Sequence, residues 1–180
     1  MKLTQAHKKE IITLILAQLA SELSNCEEAA NNAHKAAVDD QSVAETQYDT
    51  LAIEAAYLAE GQSRRLLEIK ASVAQYQKLL QQLSQQICLD ENSAYLCSGA
   101  LIELFYQITS DKQTANQELQ QYYFIGPSAG GLKVTISVGE VIVITLASPI
   151  GKAINNKTID DDYEFQAGNK IQSGYIANIT

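Results

Sequence analysis

The chain has 180 residues, and 13 Lys and Arg stand against 21 Asp and Glu, giving a formal net charge of −8. That length suits one or two small domains with a modest core. The acid excess excludes a protein that grips duplex nucleic acid by neutralising phosphates, and the absence of Trp leaves few anchors for stacking bases.

Three cysteines, Cys26, Cys88 and Cys97, are too widely spaced for a disulfide framework or a metal knuckle. They read as reduced thiols of a cytoplasmic protein. Lys8-Lys9 before the apolar run Ile11–Leu16 imitates an export signal, but Glu10 and Gln18 break the apolar core and Glu22 replaces a small neutral residue. No stretch reaches the ~18–20 apolar residues that cross a bilayer.

From Ile12 in alternating steps of four and three, the chain reads Ile12, Leu16, Leu19, Leu23, Cys26, Ala30, Ala33, Ala37, an apolar heptad seam. A second seam runs Ala52, Ala55, Ala59, Gln62, Leu66, Ile69, Val73, Tyr76, Leu80, Leu83, Ile87. Side-chain size falls along the first and rises along the second. Folded antiparallel, alanine meets alanine and leucine meets isoleucine; a parallel pairing would set large against small at both ends. Residues 1–90 therefore read as an antiparallel coiled-coil hairpin, thin at its tip, with arms reaching about 50 Å. The hairpin satisfies its own seam, so a monomer is expected.

The turn is expected at Asp39-Asp40-Gln41-Ser42, with Ser42 and Glu45 as a capping box opening the second helix. Between Lys35 and Arg64 there is no basic residue, while Asp39, Asp40, Glu45, Asp49, Glu54 and Glu60 are acidic. Some of these carboxylates favour a helix N-terminus, where each contributes about 0.3–1 kcal/mol. Capping needs one or two acids, and the alternative is a narrow arm that delivers carboxylate oxygens into a partner's cavity, where they help hold Mg²⁺. Asp39, Asp40, Glu45 and Asp49 are the candidates for that role. Ile53 and Tyr57 share an outward face that a partner could cover.

Residues 91–180 read as a strand-rich domain. Apolar runs at 95–108, 122–125, 132–138, 141–146, 163–165 and 171–179 are punctuated by Gly126-Pro127, Gly130-Gly131, Gly139 and Gly168-Asn169. Ser148-Pro149 is expected to cap one short helix over Ile150–Ile154. The expected fold class is α+β, a helical hairpin plus an antiparallel sheet of about five strands with one small helix.

No self-contained active site is visible. The glycines of 126–131 lack phosphate-loop spacing and a lysine, and no serine sits in a nucleophile-elbow motif. His7 and His34 are the only histidines, neither has a partner at metal-ligand spacing, and no metal site of the chain's own is expected.

The stretch Val143-Ile144-Thr145-Leu146-Ala147-Ser148-Pro149-Ile150-Gly151-Lys152-Ala153-Ile154-Asn155-Asn156-Lys157 resembles the C-terminal signature of the bacterial GreA/GreB transcript-cleavage factors. Tyr123-Phe124-Ile125-Gly126-Pro127 fits the strand before that family's glycine turn, and Ala44-Glu45-Thr46-Gln47-Tyr48 is similar to its hairpin tip. The resemblance implies an FKBP-like C-terminal domain without isomerase activity, docked on RNA polymerase through residues such as Ser148, Pro149, Ile150, Gly151 and Lys152. It further implies a hairpin in the polymerase secondary channel, whose tip carboxylates share an Mg²⁺ with the polymerase as that enzyme cleaves backtracked transcripts. The chain itself would be an accessory factor, not an enzyme, with no membrane and no sequence-specific nucleic acid among its partners.

Against the family's D-x-x-E tip, Ser42 stands three residues before Glu45; Asn156 replaces the usual glycine before Lys157, and Asp160-Asp161-Asp162 replaces a Gly-Asp turn. Alternatives are a non-cleaving channel regulator, a hairpin chaperone or adaptor gripping clients with Ile53 and Tyr57, and a prolyl isomerase. The scarcity of aromatics to line a pocket counts against the last.

Overall fold

The computed structural model describes residues 3–38, 50–84, 97–108, 118–168 and 170–180. The predicted turn at 39–42, its capping box and the carboxylates of Asp39, Asp40, Glu45 and Asp49 lie outside the described residues, as does the side chain of Ile53.

Two long helices, α1 (Gln5–Val38) and α2 (Thr50–Ser84), form the hairpin. Just before α1, the Thr4 N–H donates to His7 Nδ1 (3.2 Å), which occupies one of the amides a helix start leaves without a partner. Burial follows one row of each heptad seam, together with Ile11, Ile15 and Leu79, which lie off the seams. Ile12, Leu19 and Cys26 on α1 and Ile69, Tyr76 and Leu83 on α2, each seven apart, are fully buried. The intervening Leu16, Leu23, Leu66, Val73 and Leu80 are half-buried.

The chain divides into two compact units, Leu16–Ala74 and Met1–Ile15 with Gln75–Thr180. Within the first, the antiparallel register is fixed by Arg65 on Glu22, by the Cys26 thiol on the Gln62 carbonyl (3.6 Å), and by Lys70 on Glu27 (3.2 Å). The last pair spans an axial offset because each side chain leans towards its own helix N-terminus, and in an antiparallel pair those directions converge.

Among the described residues the second unit carries six strands: β1 (Leu101–Ile108), β2 (Glu118–Ile125), β3 (Lys133–Ile136), β4 (Gly139–Ile144), β5 (Asp162–Ala167) and β6 (Lys170–Ile179), in the order β3-β4-β2-β1-β6-β5. A short helix, α3 (Pro149–Ile154), follows β4. The expected sheet of about five antiparallel strands is thus six-stranded, and β2 and β4 pair in parallel. The reason is β3: it leaves β2 through the 126–132 turn, reverses at Ser137-Val138, and returns the chain as β4 in the direction of β2.

One sheet face buries Ile102, Leu104, Tyr123, Ile125, Ile144 and Ile176 together with Ile150 and Ile154 of α3. Each fully buried isoleucine contributes roughly 1.5–3 kcal/mol. Leu101, Phe124 and Val143 are paired across β1, β2 and β4 on the other face and are equally buried. There the Tyr76 hydroxyl donates to the Ser128 carbonyl (2.8 Å), and a Cβ on Gly126 would fall 2.1 Å from that hydroxyl. Asn156 and Asp160 have φ of 61° and 70°, a left-handed backbone that Asn and Asp tolerate best after glycine.

Candidate functional site

Three surfaces carry chemistry. The first is the stretch running from β4 into α3. Ser148 has extended backbone, and its Oγ accepts from the Gly151 N–H (3.1 Å) while donating to the Thr145 carbonyl (2.7 Å). Pro149 supplies the fixed φ of the first helical residue without forfeiting a needed N–H. Gly151 is pressed against the preceding turn: a Cβ there would lie 2.1 Å from Thr145 O and 2.9 Å from Leu146 Cα. Ile150 is 7% exposed and belongs to the sheet core. Ser148, Ile150 and Gly151 therefore have internal duties in capping and packing. Pro149 and Lys152 stand at the surface, so of the five residues in this stretch they offer the outward chemistry.

The turn after α3 is held by side chains as well. Asp161 Oδ2 accepts from the Thr158 N–H (2.7 Å) and hydroxyl (3.0 Å), bonds that hold its carboxyl below the usual carboxylate range. Lys157 Nζ donates to the Asp162 carbonyl (2.6 Å).

The second surface has no sequence motif of its own. An open cleft of about 490 Å³ lies among β1, β5 and β6, lined by Phe105, Tyr106, Lys157, Tyr163 and Tyr175 among others. Gly174 pairs with Tyr106 on one side and Tyr163 on the other, and a Cβ there would meet Phe105 O at 1.8 Å. The Tyr163 hydroxyl donates to Phe105 O (3.3 Å), and Phe105 stacks on Tyr175 with centroids 5.4 Å apart. Burial pushes the Tyr163 phenol well above its ordinary pKa. The sheet thus gathers four aromatic residues of an aromatic-poor chain into one cleft. No single run of sequence signals it; it arises from the strand order. Beside these aromatic rings its lining carries Lys157, Asp162, Glu164 and Ser173, so the cleft offers both apolar and polar contacts.

The third surface is the outer side of α2. Tyr57 is 71% exposed and Leu67 is 68% exposed. Glu54 and Glu60 are exposed on the same helix. Among the described residues no group of three His, Cys, Asp or Glu is placed to hold a metal ion, and no helix is long and apolar enough to cross a membrane. Lys8, whose position beside Lys9 imitates the charged start of an export signal, is instead 2% exposed, and burial lowers its pKa.

No family model matches the chain, and no curated protein sequence matches it. Among solved structures it is similar to the GreA factor homolog 1 (Gfh1) protein of Thermus thermophilus, at 15% identity and a TM-score of 0.33, covering 92% of this chain and 94% of that one. Thermus aquaticus Gfh1 is similar at 16% identity and a TM-score of 0.32, covering 91% and 92%. A further structure of the transcription factor Gfh1 gives 16% identity, a TM-score of 0.31 and the same coverage.

Proposed function

We propose that this chain is an accessory transcription factor that enters the secondary channel of RNA polymerase with its helical hairpin and docks with its sheet domain. The observation that carries this reading is the joint pattern of the hairpin. Its seam runs from bulky to small towards residues 39–49, and six acids with no base lie between Lys35 and Arg64. A slender arm ending in carboxylates is suited to a deep cavity that holds Mg²⁺, where oxygen ligands are wanted and bulk is excluded. The resemblance of residues 143–157 to the transcript-cleavage factors supports the same partner.

In this reading Asp39, Asp40, Glu45 and Asp49 are the residues that approach the polymerase's catalytic Mg²⁺. A second ion would activate water and stabilise developing charge, with the polymerase itself performing the hydrolysis. Ile53 and Tyr57 contact the channel wall, and Pro149 and Lys152 meet the channel entrance. The working location is the cytoplasm. Ser42, standing three residues before Glu45 where the related factors carry an aspartate, favours a second version in which the protein occupies the channel without stimulating cleavage.

Pull-down with core RNA polymerase, followed by competition with a channel-binding factor, tests the partner. Retention on the polymerase that a channel factor displaces is the expected result; no retention overturns the reading. Backtracked elongation complexes then separate the two versions. Shortening of the transcript 3′ end that disappears in a D39A/D40A/E45A/D49A variant marks a cleavage stimulator, whereas displaceable binding with an uncut 3′ end marks the regulator.

A further inference from the structure

The seam that joins α2 to α1 is not the only heptad on that helix. Tyr57, Glu60, Arg64 and Leu67 recur at steps of three, four and three, and Ala71 and Ala74 continue the pattern. At 100° per residue this stripe lies on the side of α2 opposite Gln62, Leu66 and Ile69. Every member is exposed. Neither Glu60 nor Arg64 joins an ion pair among the described residues, although the neighbouring Arg65 reaches both Glu22 and Glu68.

The order of the stripe is apolar, acid, base, apolar, and it is symmetric about position 62. The midpoint between Glu60 and Arg64 is also the midpoint between Tyr57 and Leu67. A second α2 laid antiparallel across the first, with a twofold axis at that point, would set Tyr57 on the partner copy's leucine stripe position and Glu60 on its arginine position. The same contacts would then recur with the roles exchanged. This is the self-complementarity an isologous interface requires. A parallel pairing would stack acid on acid and base on base, so the charged layers also choose direction and register.

Gly61 supplies an independent sign. It sits in the middle of a 35-residue helix, where glycine costs about 1 kcal/mol relative to alanine, and a Cβ there would meet nothing within 4 Å. Packing within the chain does not call for it. Gly61 and Ser63 lie about 80° to either side of the stripe at its midpoint, where small side chains leave the flanks of Glu60 and Arg64 open to an opposing pair.

We infer that the outward face of α2 pairs with the same face of a second copy of this chain, in an antiparallel dimer held by Tyr57 against Leu67 and by Glu60 against Arg64. The seam between α1 and α2 lets the monomer fold, so the dimer is reversible. The inference rests on the hairpin alone and stands whether or not polymerase is the partner. If the polymerase reading also holds, the dimer covers Tyr57 and is a stored form that must dissociate before the hairpin enters a channel.

Sedimentation velocity of the full chain, without polymerase, from micromolar to near-millimolar concentration tests it through charge reversal. The parent is expected to pass from monomer to dimer over that range. Glu60→Arg and Arg64→Glu should each weaken association by ~tenfold or more, because each opposes like charges twice across the axis. An equimolar mixture of the two variants should regain the dimer, since each supplies what the other lacks, and the doubly reversed chain should behave as the parent. Both positions are exposed and unpaired within the described residues, and unchanged helical circular dichroism verifies the fold. A parent that stays monomeric throughout, single variants that dimerise as well as the parent, or a mixture that stays monomeric would each overturn the inference.

Discussion

Gly151→Ala is the most informative single change in the sheet domain, because one added methyl group meets backbone rather than a movable side chain. Its Cβ would sit 2.1 Å from Thr145 O and 2.9 Å from both Leu146 Cα and Ser148 Oγ. Thr145 O cannot retreat freely, as it already accepts from the Ser148 hydroxyl (2.7 Å) and the Ser148 N–H (3.0 Å). The start of α3 must therefore lift from the turn. Lifting it breaks the bond from the Gly151 N–H to Ser148 Oγ, worth about 1 kcal/mol as an N-cap. It also strains the packing of Ile150 and Ile154, at about 1–3 kcal/mol for an overpacked site. The expected loss is about 2–4 kcal/mol, or a fall in Tm of roughly 5–15 °C for a chain of this size. Urea and thermal unfolding followed by tyrosine signals read it, since the protein has no Trp. Ser148→Ala, which removes the cap but adds no atom, should cost only about 1 kcal/mol. A Gly151→Ala protein within about 0.5 kcal/mol of the parent would refute the steric reasoning. Lys152→Ala completes the comparison. Lys152 is exposed, so its loss should leave the unfolding midpoint in place, and under the proposed docking it should weaken retention on RNA polymerase.

Alkaline pH should destabilise the protein. Burial pushes Tyr123 up to about 12, and raises Tyr76 and Tyr163 further in the same direction. Phenols of the unfolded chain ionise near 10 while the folded ones keep their protons, so stability present below pH 10 is lost as pH rises through the 10–12 window. For Tyr123 alone that loss is at most about 2.7 kcal/mol, and a urea midpoint that does not move between neutral pH and about pH 11 would contradict it. Buried Lys8, whose pKa is lowered, works with the opposite sign and partly offsets the fall. Tyr76→Phe should cost about 0.5–1.5 kcal/mol through the lost bond to Ser128 O and should blunt the alkaline effect, both read from the same pH series. On the hairpin, Glu22→Gln should cost less than about 1 kcal/mol, because its pair with Arg65 is exposed, whereas Ile12→Ala should cost about 2–5 kcal/mol. Equal losses for those two would overturn the ranking of seam over surface.

What was legible in the sequence was whatever depends on neighbours in the chain. The four-three spacing marks two apolar seams, and one row of each, Ile12, Leu19 and Cys26 with Ile69, Tyr76 and Leu83, is the buried part of them. Ser148-Pro149 announces its own helix start because a cap is made by residues three apart. Alternation marks β3, whose Val134 and Ile136 are buried and Lys133 and Thr135 exposed. The parallel pairing of β2 with β4 was not legible, since it follows from where β3 folds back and not from the composition of any strand. The aromatic cleft was hidden for the same reason: Tyr106, Tyr163 and Gly174 lie on three strands and meet only through the order β1-β6-β5. The burial of Lys8 was not legible either, since nothing in its neighbours Lys9 and His7 marks it as interior.

The gradient of side-chain size along the hairpin has a thermodynamic consequence. Layers built from leucine and isoleucine bury far more apolar area than layers built from alanine, so stabilisation per layer falls towards residues 39–49. At the Cys26–Gln62 level the seam already contains a polar residue, and Ala30 and Ala59 beyond it are only half-buried. The ion pairs to Glu22 and Glu27 engage this stretch from its exposed side, where such pairs contribute little. The unit Leu16–Ala74 is therefore stabilised least by its own seam where its exposed Tyr57 and its acids lie. Anything that covers α2 there, whether a channel wall or a second copy of the chain, binds the folded helix and not the unfolded one, and so stabilises it by mass action.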